Sequence, residues 1–379
     1  MHNTVKDITS VPLLDLNTEY EPIADQVLSA IKTVYEHKQF INGPEVYELE
    51  HAIASYCGSR HAVGCSSGTD ALLLSLMSLG IGSGDEVITT TFSFFATAGS
   101  IARTGATPVF VDVNPQTFNI DPSLIEAKIT SKTKAIMPVH LFGQMADMDP
   151  IMAIAKKHHL FVIEDAAQAI GASYTNADGV TKKAGTVGDI GCFSFFPSKN
   201  LGCMGDGGIV TCHDDSLAEQ LNVIKNHGSK PKYYHSFVGG NFRLDTLQAA
   251  VLNVKLPYLN DHHKKRQENA LFYNSQLSDL QIPFVLDTHS SIYNQYTLNL
   301  SNRDKVISSL NDANIGSCIY YPVPLHLQQC FAHLGYKKGD CPIAETLCDN
   351  VLSIPIFSGL TTEHLDYVVT HLREAISTH

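Results

Sequence analysis

Residues 191–202 read Gly-Cys-Phe-Ser-Phe-Phe-Pro-Ser-Lys-Asn-Leu-Gly. A hydrophobic run is followed by a Pro-Ser turn and then by a single lysine, Lys199. A second apolar run, 160–163, continues into Glu164-Asp165-Ala-Ala-Gln168 and therefore ends in a pair of carboxylates. If both runs are strands of a parallel sheet, their carboxyl ends meet at one edge, where such sheets bind ligands. The two stretches thus predict an α/β fold with an amine and a carboxylate at one cleft.

Short apolar runs alternate with helical patterns from about residue 60 to 215. The runs predicted as strands are apolar on both faces, as buried strands are, and they cover 86–91, 108–113, 134–141, 160–163, 190–195 and 208–212. Helical patterns lie between them, at 70–79, which is Leu-rich, and at 147–159, which opens with acids and closes with basic residues. This alternation predicts a mainly parallel, doubly wound sheet.

The pattern changes after residue 245. A helical stretch, 245–273, is interrupted at Pro257, and short strands and turns follow until a last helix at 362–376. We therefore expect a large domain over 1–260 and a smaller α+β domain over 261–379. A further helix, at about 20–35, is a candidate to pack on the smaller domain.

Composition narrows the class of protein. The 379 residues are 44% hydrophobic and carry a net charge of -12, which argues against a nucleic-acid partner because phosphate binding needs a basic face. No apolar stretch is long enough to span a membrane. Nine scattered cysteines without a CxxC pair indicate reduced thiols in a cytoplasm, and neither Cys nor His has zinc spacing, so no metal site is predicted.

Lys199 and Asp165 carry the chemistry. A lysine amine that forms a Schiff base with an aldehyde, and a carboxylate that keeps a pyridine nitrogen protonated, are the two poles of a pyridoxal 5'-phosphate (PLP) site. Lys199 could instead be a solvated loop lysine, and Asp165 could be a helix-capping residue. The run 193–196 favours the site, because it places Lys199 at the end of a buried element. Only one of Glu164 and Asp165 can face the cleft, because strand side chains alternate, and we select Asp165.

Other segments could complete such a site. Ser67, Gly68 and Thr69 precede the Leu-rich helix, whose free N–H groups would hold a phosphate unless the segment is an ordinary cap, and Ser194 could add a hydroxyl. One ring within 92–95 could stack on the cofactor, or all could be core aromatics. The loop 226–245 is locally basic, which suits a diphosphate-bearing substrate, although a surface loop is the alternative. The two prolines of 320–326 fix an extended path, which could present Tyr321 and His326 rigidly to a ligand. The alternative is a stiff connection between domains.

In this order the segments resemble the fold-type I PLP enzymes and, more narrowly, the nucleotide-sugar aminotransferases of the DegT/StrS type. The resemblance runs from about residue 11 to 375, and its motifs are Gly43-Pro-Glu-Val46, Ser67-Gly-Thr-Asp-Ala71, Gly84-Asp-Glu-Val-Ile-Thr89, Phe110-Val-Asp112, Pro138-Val-His-Leu-Phe-Gly143, Glu164-Asp-Ala-Ala-Gln168, Ser194-Phe-Phe-Pro-Ser-Lys199, Asn241-Phe-Arg-Leu-Asp245 and Tyr321-Pro-Val-Pro-Leu-His326. It implies a fold-type I architecture with a seven-stranded sheet in the large domain.

The resemblance also implies residue roles. Lys199 would bind the cofactor and shuttle the proton, Asp165 would hold the pyridine nitrogen, and Gln168 would contact the phenolic oxygen. Phe94 would stack on the ring. The phosphate would be held by Ser67, Gly68, Thr69 and Ser194, with Asn241 reaching it from the neighbouring subunit of a homodimer. The sugar nucleotide would face Arg243, Tyr320, Tyr321 and His326.

The implied reaction is amination of a nucleotide-linked keto-sugar, with L-glutamate as donor and a 3-keto sugar favoured over a 4-keto sugar. The product would be an amino sugar for lipopolysaccharide, O-antigen or a related glycan. One alternative is a PLP-dependent sugar dehydratase or another fold-type I lyase, but a dehydratase of this type would carry histidine where Lys199 stands. Relatives that act on a uronic acid often carry histidine where Tyr320 stands, which disfavours a uronic acid substrate. A further alternative is a regulatory homologue without catalysis, which retention of Lys199 and Asp165 disfavours.

Overall fold

The strands follow the alternation that the sequence predicts. The computed structural model describes residues 8–378. Its strands are β1 (His61–Cys65), β2 (Glu86–Thr90), β3 (Thr107–Val111), β4 (Thr133–Met137), β5 (Phe161–Asp165), β6 (Ser173–Thr175), β7 (Thr181–Lys183), β8 (Ile190–Ser194), β9 (Gly208–Cys212), β10 (His289–Ser290), β11 (Tyr296–Asn299) and β12 (Val351–Ile354). All six predicted strands are present, and β1, β6 and β7 are additions.

The α-helices lie between and after these strands. They are α1 (Asn17–Tyr20), α2 (Ala24–His37), α3 (Pro44–Cys57), α4 (Gly68–Ser78), α5 (Ala96–Arg103), α6 (Met148–His158), α7 (Asp215–Ile224), α8 (Thr246–Lys255), α9 (Leu259–Gln276), α10 (Arg303–Asp312), α11 (Pro342–Asn350) and α12 (Thr362–Thr378). The predicted interruption at Pro257 is a short 3-10 turn, Leu256–Tyr258, that joins α8 to α9.

Seven strands form the main sheet, in the order β1-β9-β8-β5-β4-β2-β3. Neighbouring strands from β8 to β3 pair in parallel, while β9 runs antiparallel to both β1 and β8. The sheet is therefore mainly parallel, and the predicted fold class is confirmed. Because β9 alone is reversed, the carboxyl ends of β1, β2, β5 and β8 share one edge.

Adjacent residues of the central strands enter two different cores. Val87 and Ile163 pack with α4 and α7 on one face, whereas Ile88 and Val162 pack with α3 and α6 on the other. This burial of both faces explains the continuous apolar runs of the sequence and gives the doubly wound arrangement.

A separate core is built from α9, α10, α12 and the β11–β12 pair. The N-terminal residue Val11 also packs there, through a bridge to Ile315. By contrast, α2 packs on α8 through Val27 and Val251. The N-terminal contact with the C-terminal core is thus made by the segment around Val11, and the packing expected for the helix at about 20–35 is corrected to α8. Among residues 8–378, no helix combines the length and apolar character that crossing a bilayer requires.

Candidate active site

A cavity of about 630 Å³ opens at the carboxyl edge of the sheet. Ten of the thirteen predicted site residues line it, namely Ser67, Gly68, Thr69, Phe94, Asp165, Gln168, Ser194, Lys199, Tyr320 and Tyr321. They come from segments that are far apart in the sequence, and the strand order gathers them.

Lys199 reaches the cavity from the turn that follows β8, where its backbone N–H donates to Phe196 O at 2.8 Å. The next residues are anchored from two sides. Asn200 Oδ1 accepts from Asn294 Nδ2 at 2.7 Å, and Gly202 O accepts from the buried Lys255 amine at 2.8 Å. Desolvation lowers the pKa of the Lys199 amine from 10.5 to about 8, with the charge of Asp165 acting in the opposite direction. The amine is therefore prepared to act as a nucleophile and a base near neutral pH.

Asp165 and Glu164 point in opposite directions at the end of β5. Asp165 faces the cavity and is 4% exposed. Its Oδ2 accepts from Thr97 Oγ1 at 2.8 Å and its Oδ1 from the Ala167 N–H at 3.3 Å. Burial raises the pKa of Asp165, while the Thr97 and Ala167 hydrogen bonds and the Lys199 charge counteract the shift. The cleft-facing position selected for Asp165 is the one observed.

Glu164 lies behind the sheet edge as a fully buried carboxylate. Its Oε1 accepts from the Val187 and Gly188 N–H groups, both at 2.7 Å, and its Oε2 accepts from Gly185 N–H at 2.9 Å. His140 Nε2 lies 2.7 Å from the same Oε2, and because His140 Nδ1 accepts from Ala146 N–H, Nε2 carries the proton that it donates. Burial alone would raise the pKa of Glu164, but these donors lower it below its usual value.

The start of α4 forms a cradle of backbone amides and hydroxyls, which we call the α4 cradle. Ser67 caps the helix, with its Oγ accepting from Asp70 N–H at 3.0 Å. The first helical turn leaves the N–H groups of Gly68 and Thr69 without helical partners. A Cβ on Gly68 would lie 2.6 Å from Ser194 Cβ, so only glycine lets the helix begin this close to the end of β8. Free amides and two serine hydroxyls suit an anionic group.

The aromatic and amide wall is set by Phe94 and Gln168. Of the phenylalanines in 92–95, Phe92 is fully buried and Phe95 stacks on Phe331, whereas Phe94 is 57% exposed and lines the cavity. Gln168 Oε1 accepts from Phe142 N–H at 2.7 Å, and its Nε2 donates to the Tyr321 hydroxyl at 3.0 Å. The Gln168 amide keeps one N–H for a ligand.

His326 does not line the cavity, which corrects its predicted contact with the substrate. It is 1% exposed, with Nδ1 2.6 Å from Thr91 Oγ1 and Nε2 3.1 Å from Glu345 Oε1. Both ring nitrogens are thus engaged inside the protein. The His326 ring holds the segment 320–326 against the end of β2. It therefore affects the site only by positioning neighbouring residues such as Tyr320 and Tyr321.

Asn241 and Arg243 also lie outside the cavity lining. Their segment runs beside β1, where Ser66 N–H donates to Phe242 O at 3.0 Å. Arg243 Nε is buried and has no hydrogen-bond partner among residues 8–378. The predicted roles of both residues require a second subunit, and they stay predictions.

Several lining residues were not predicted from the sequence, and they are Leu72, Ser93, Ala96, Val139, Ala167, Phe196, Ser198, Asp206, Gln295 and Ile319. Ser93, Ala167, Phe196 and Ser198 lie inside motifs already noted, so proximity could have suggested them. Gln295 and Ile319 come from the C-terminal region, and no local pattern marks them.

The sequence profile of the DegT/DnrJ/EryC1/StrS aminotransferase family matches residues 22–373, and the chain belongs to this family. It is 49% identical to the "Pleiotropic regulatory protein" of Geobacillus stearothermophilus, over 96% of this chain and 98% of that one. It is 45% identical to the "UDP-N-acetyl-3-dehydro-alpha-D-glucosamine 3-aminotranferase" of Acidithiobacillus ferrooxidans, over 97% and 98%. Identity to the "UDP-2-acetamido-2-deoxy-3-oxo-D-glucuronate aminotransferase" of Pseudomonas aeruginosa is 42%, over 96% and 99%.

Solved structures agree with this assignment. DesV of S. venezuelae, crystallised "in complex with ketimine intermediate", superposes with a TM-score of 0.93 and 39% identity, over 97% of this chain and 98% of that one. NtdA of Bacillus subtilis "with bound cofactor pmp" superposes with a TM-score of 0.90 and 32% identity, over 99% of this chain and 87% of that one. The chain is therefore an aminotransferase, and its cofactor is PLP.

The residues present fit that cofactor. The α4 cradle suits its phosphate, the buried Asp165 carboxylate suits a protonated ring nitrogen, and the exposed face of Phe94 suits a stacked ring. Lys199 supplies an amine with a lowered pKa in the same cavity.

Proposed function

We propose that this protein transfers an amino group from L-glutamate to a nucleotide-linked keto-sugar, with a 3-keto sugar as the acceptor. The observation that carries the proposal is that the Lys199 amine and the Asp165 carboxylate share one cavity, with the α4 cradle beside them. The volume of about 630 Å³ leaves room for a sugar besides a cofactor.

The protein's own residues would act as follows. PLP, when bound, withdraws electrons from the carbon that gains or loses the amino group. Lys199 Nζ removes the proton from that carbon of glutamate and returns a proton to the sugar carbon in the second half-reaction. Asp165 stays ionised and holds a proton on the ring nitrogen, while Gln168 and Phe94 fix the ring plane. The turn 196–202 keeps Nζ in place through its two anchors.

The charge distribution supports a site shared between two subunits. Among the described residues that line the cavity, Lys199 is the one basic side chain, and Asp165 and Asp206 are acidic. A diphosphate needs cationic partners. Lys230, Lys232 and Arg243 belong to a loop outside this cavity, so we propose that the loop serves the cavity of a second copy.

Exposed apolar side chains around the same loop support a dimer. Tyr233 and Val238 are 79% and 92% exposed, and Phe196 and Met204 near the Lys199 turn are also more than half exposed. Large exposed apolar side chains are frequent at protein interfaces. We therefore propose a homodimer in which Asn241 contacts the α4 cradle of the neighbouring subunit and Arg243 contacts its substrate.

Complementation tests the shared site. Lys199→Ala and the double variant Asn241→Ala plus Arg243→Ala should each be inactive. Co-expressed with different tags and purified as a heterodimer, they should recover up to half of the wild-type activity, since one of the two sites then has both intact halves. A matched heterodimer of Lys199→Ala with wild type calibrates the signal. A mixed dimer as inactive as its parents would show that the loop does not act in trans.

The preference for amination at C3 draws on two relatives that are named for a 3-dehydro or a 3-oxo sugar. Tyr320 and Ile319 give the cavity a neutral wall, which favours an acceptor sugar without a carboxylate over a uronic acid. The product would be an amino sugar for lipopolysaccharide, O-antigen or another glycan. All nine cysteines are free thiols, which supports a cytoplasmic location.

A regulatory role is the second candidate, because one relative is named a regulatory protein. The two functions are separated by an activity panel. The purified protein receives PLP, glutamate and UDP-, dTDP- or GDP-linked 3-keto and 4-keto sugars, and the products are identified by mass and NMR. Turnover of a 3-keto sugar is expected, with Lys199→Ala as the inactive control. No amination of any sugar, together with no conversion of glutamate, would favour the regulatory role.

A further inference from the structure

Asp165 receives a hydroxyl hydrogen bond from outside its own strand. Thr97 lies in the first turn of α5, is 1% exposed, and places Oγ1 2.8 Å from Asp165 Oδ2. Ser93, in the turn that follows β2, places its Oγ 2.9 Å from the same Thr97 Oγ1. The three side chains form one buried row that ends at the carboxylate.

The direction of this row follows from donor counting. An ionised carboxylate only accepts, so Thr97 must spend its single hydroxyl proton on Asp165. Thr97 Oγ1 then has no proton left for Ser93, and Ser93 must be the donor between the two. The protons therefore all point from Ser93 through Thr97 toward Asp165.

The same turn carries the ring that would stack on the cofactor. Thr97 N–H donates to Phe94 O at 3.2 Å, so the Thr97 hydroxyl and the Phe94 ring belong to one small rigid unit. Asp165 Oδ1 accepts one weaker bond, at 3.3 Å from Ala167 N–H, and keeps lone pairs for a ligand. Oδ2 is held by Thr97, and Oδ1 is left to receive a proton donor in the cavity.

We propose that Thr97 and Ser93 are positioning residues that keep Asp165 ionised and aimed at the ring nitrogen of the cofactor. A buried carboxylate tends to take up a proton, and a protonated Asp165 would lose its charge-based hold on the ring proton. The hydroxyl row opposes this tendency, because a hydrogen bond donated to the charged form stabilises that form. The inference rests on the proposed function only in assuming that Asp165 holds the proton on the ring nitrogen of the cofactor.

Thr97→Val tests the proposal, since valine has nearly the same shape but donates no proton. Thr97→Ser keeps the hydroxyl and should rescue the variant, Ser93→Ala removes only the second link, and Thr104→Val is a matched control at the other end of α5. The first readout is the pH dependence of unfolding of the cofactor-free protein. The second is the pH titration of the absorbance of bound PLP.

In the cofactor-free protein, Thr97→Val should move the Asp165 titration to higher pH by on the order of one pH unit or more, and Ser93→Ala by less. With PLP bound, the proton shared between Asp165 and the ring nitrogen should lie more on Asp165 in Thr97→Val, so that the absorbance reports a smaller ring-protonated fraction, and the glutamate half-reaction should slow by roughly tenfold or more. Thr97→Ser and Thr104→Val should behave as wild type.

Wild-type titrations in Thr97→Val, or a Thr97→Ser variant as impaired as Thr97→Val, would overturn the proposal. Should Thr97→Val not fold, the smaller shift expected for Ser93→Ala tests the hydroxyl row, and a wild-type titration in that variant would then count against the proposal. The cofactor-free measurement needs no substrate. A wild-type protein that proves inactive toward sugars would therefore count against the proposed function and leave the test of Thr97 intact.

Discussion

Lys199 of the cofactor-free protein should react with aldehydes far more readily at neutral pH than an ordinary lysine. Its pKa is lowered from 10.5 to about 8, mainly by desolvation. At pH 7 the reactive neutral amine is then about a tenth of the molecules, against roughly three in ten thousand for an unshifted lysine, which is an advantage of roughly 300-fold. Replacing Asp165 by Asn removes the nearby charge that favours the ammonium form, so the transition should move to a still lower pH.

The assay follows Schiff-base absorbance after mixing cofactor-free protein with pyridoxal, which lacks the phosphate and so reports on the amine rather than on the α4 cradle. Rates are measured between about pH 6 and pH 10, with Lys199→Ala as the blank. The wild-type rate should rise with a midpoint at about 8, and the Asp165→Asn midpoint should lie below it. A wild-type midpoint near 10.5, or a shift to higher pH in Asp165→Asn, would refute this description of the amine.

Three further variants test the supporting structure. Lys199→Met should raise the free energy of unfolding of the cofactor-free protein by up to about 3 kcal/mol near neutral pH, because the fold disfavours the ammonium form. This gain should fade as the pH rises from about 8 to 10.5, the interval between the folded and ordinary pKa of the amine, and a constant gain in urea unfolding would contradict it. Glu164→Gln should cost about 2–4 kcal/mol at neutral pH, since an amide N–H₂ would face backbone donors. Because the folded pKa of Glu164 is lowered, wild type should lose this advantage as the pH falls through the carboxyl range, and equal stabilities at neutral pH would count against the buried anion. His326→Ala should lower the unfolding free energy of the substrate-free protein by about 2–4 kcal/mol, whereas a residue that serves only the substrate would leave it unchanged.

Much of the site could be predicted because its residues directly follow strands. Burial on both faces makes a strand such as β5 a visible apolar run, and parallel pairing then brings the residues after each run to one edge. The choice of Asp165 over Glu164 needed only the alternation of side chains along a strand. Lys199 was recognisable for the same reason, as the first amine after a buried run.

The parts that were missed depend on partners that are distant in the sequence. The burial of His326 is set by Thr91 and Glu345, on opposite sides of it in the chain and with no shared motif. The hydroxyl row to Asp165 begins in the turn that precedes α5, a short helix that was not predicted from the sequence. The strand β1, with the sequence His-Ala-Val-Gly-Cys, lacks a distinctive apolar run, although it forms one edge of the sheet.

The most direct test of the central claim follows the nitrogen atom itself. Wild-type protein with bound PLP is incubated with ¹⁵N-labelled L-glutamate and, in separate reactions, UDP-, dTDP- and GDP-linked 3-keto and 4-keto sugars, and the products are analysed by mass spectrometry and NMR. Labelled nitrogen should appear on C3 of a 3-keto sugar, with one 2-oxoglutarate formed per amino sugar, and Lys199→Ala should give neither product. Unlabelled sugar recovered after complete conversion of the bound cofactor by glutamate, across all nucleotides and both keto positions, would contradict the account.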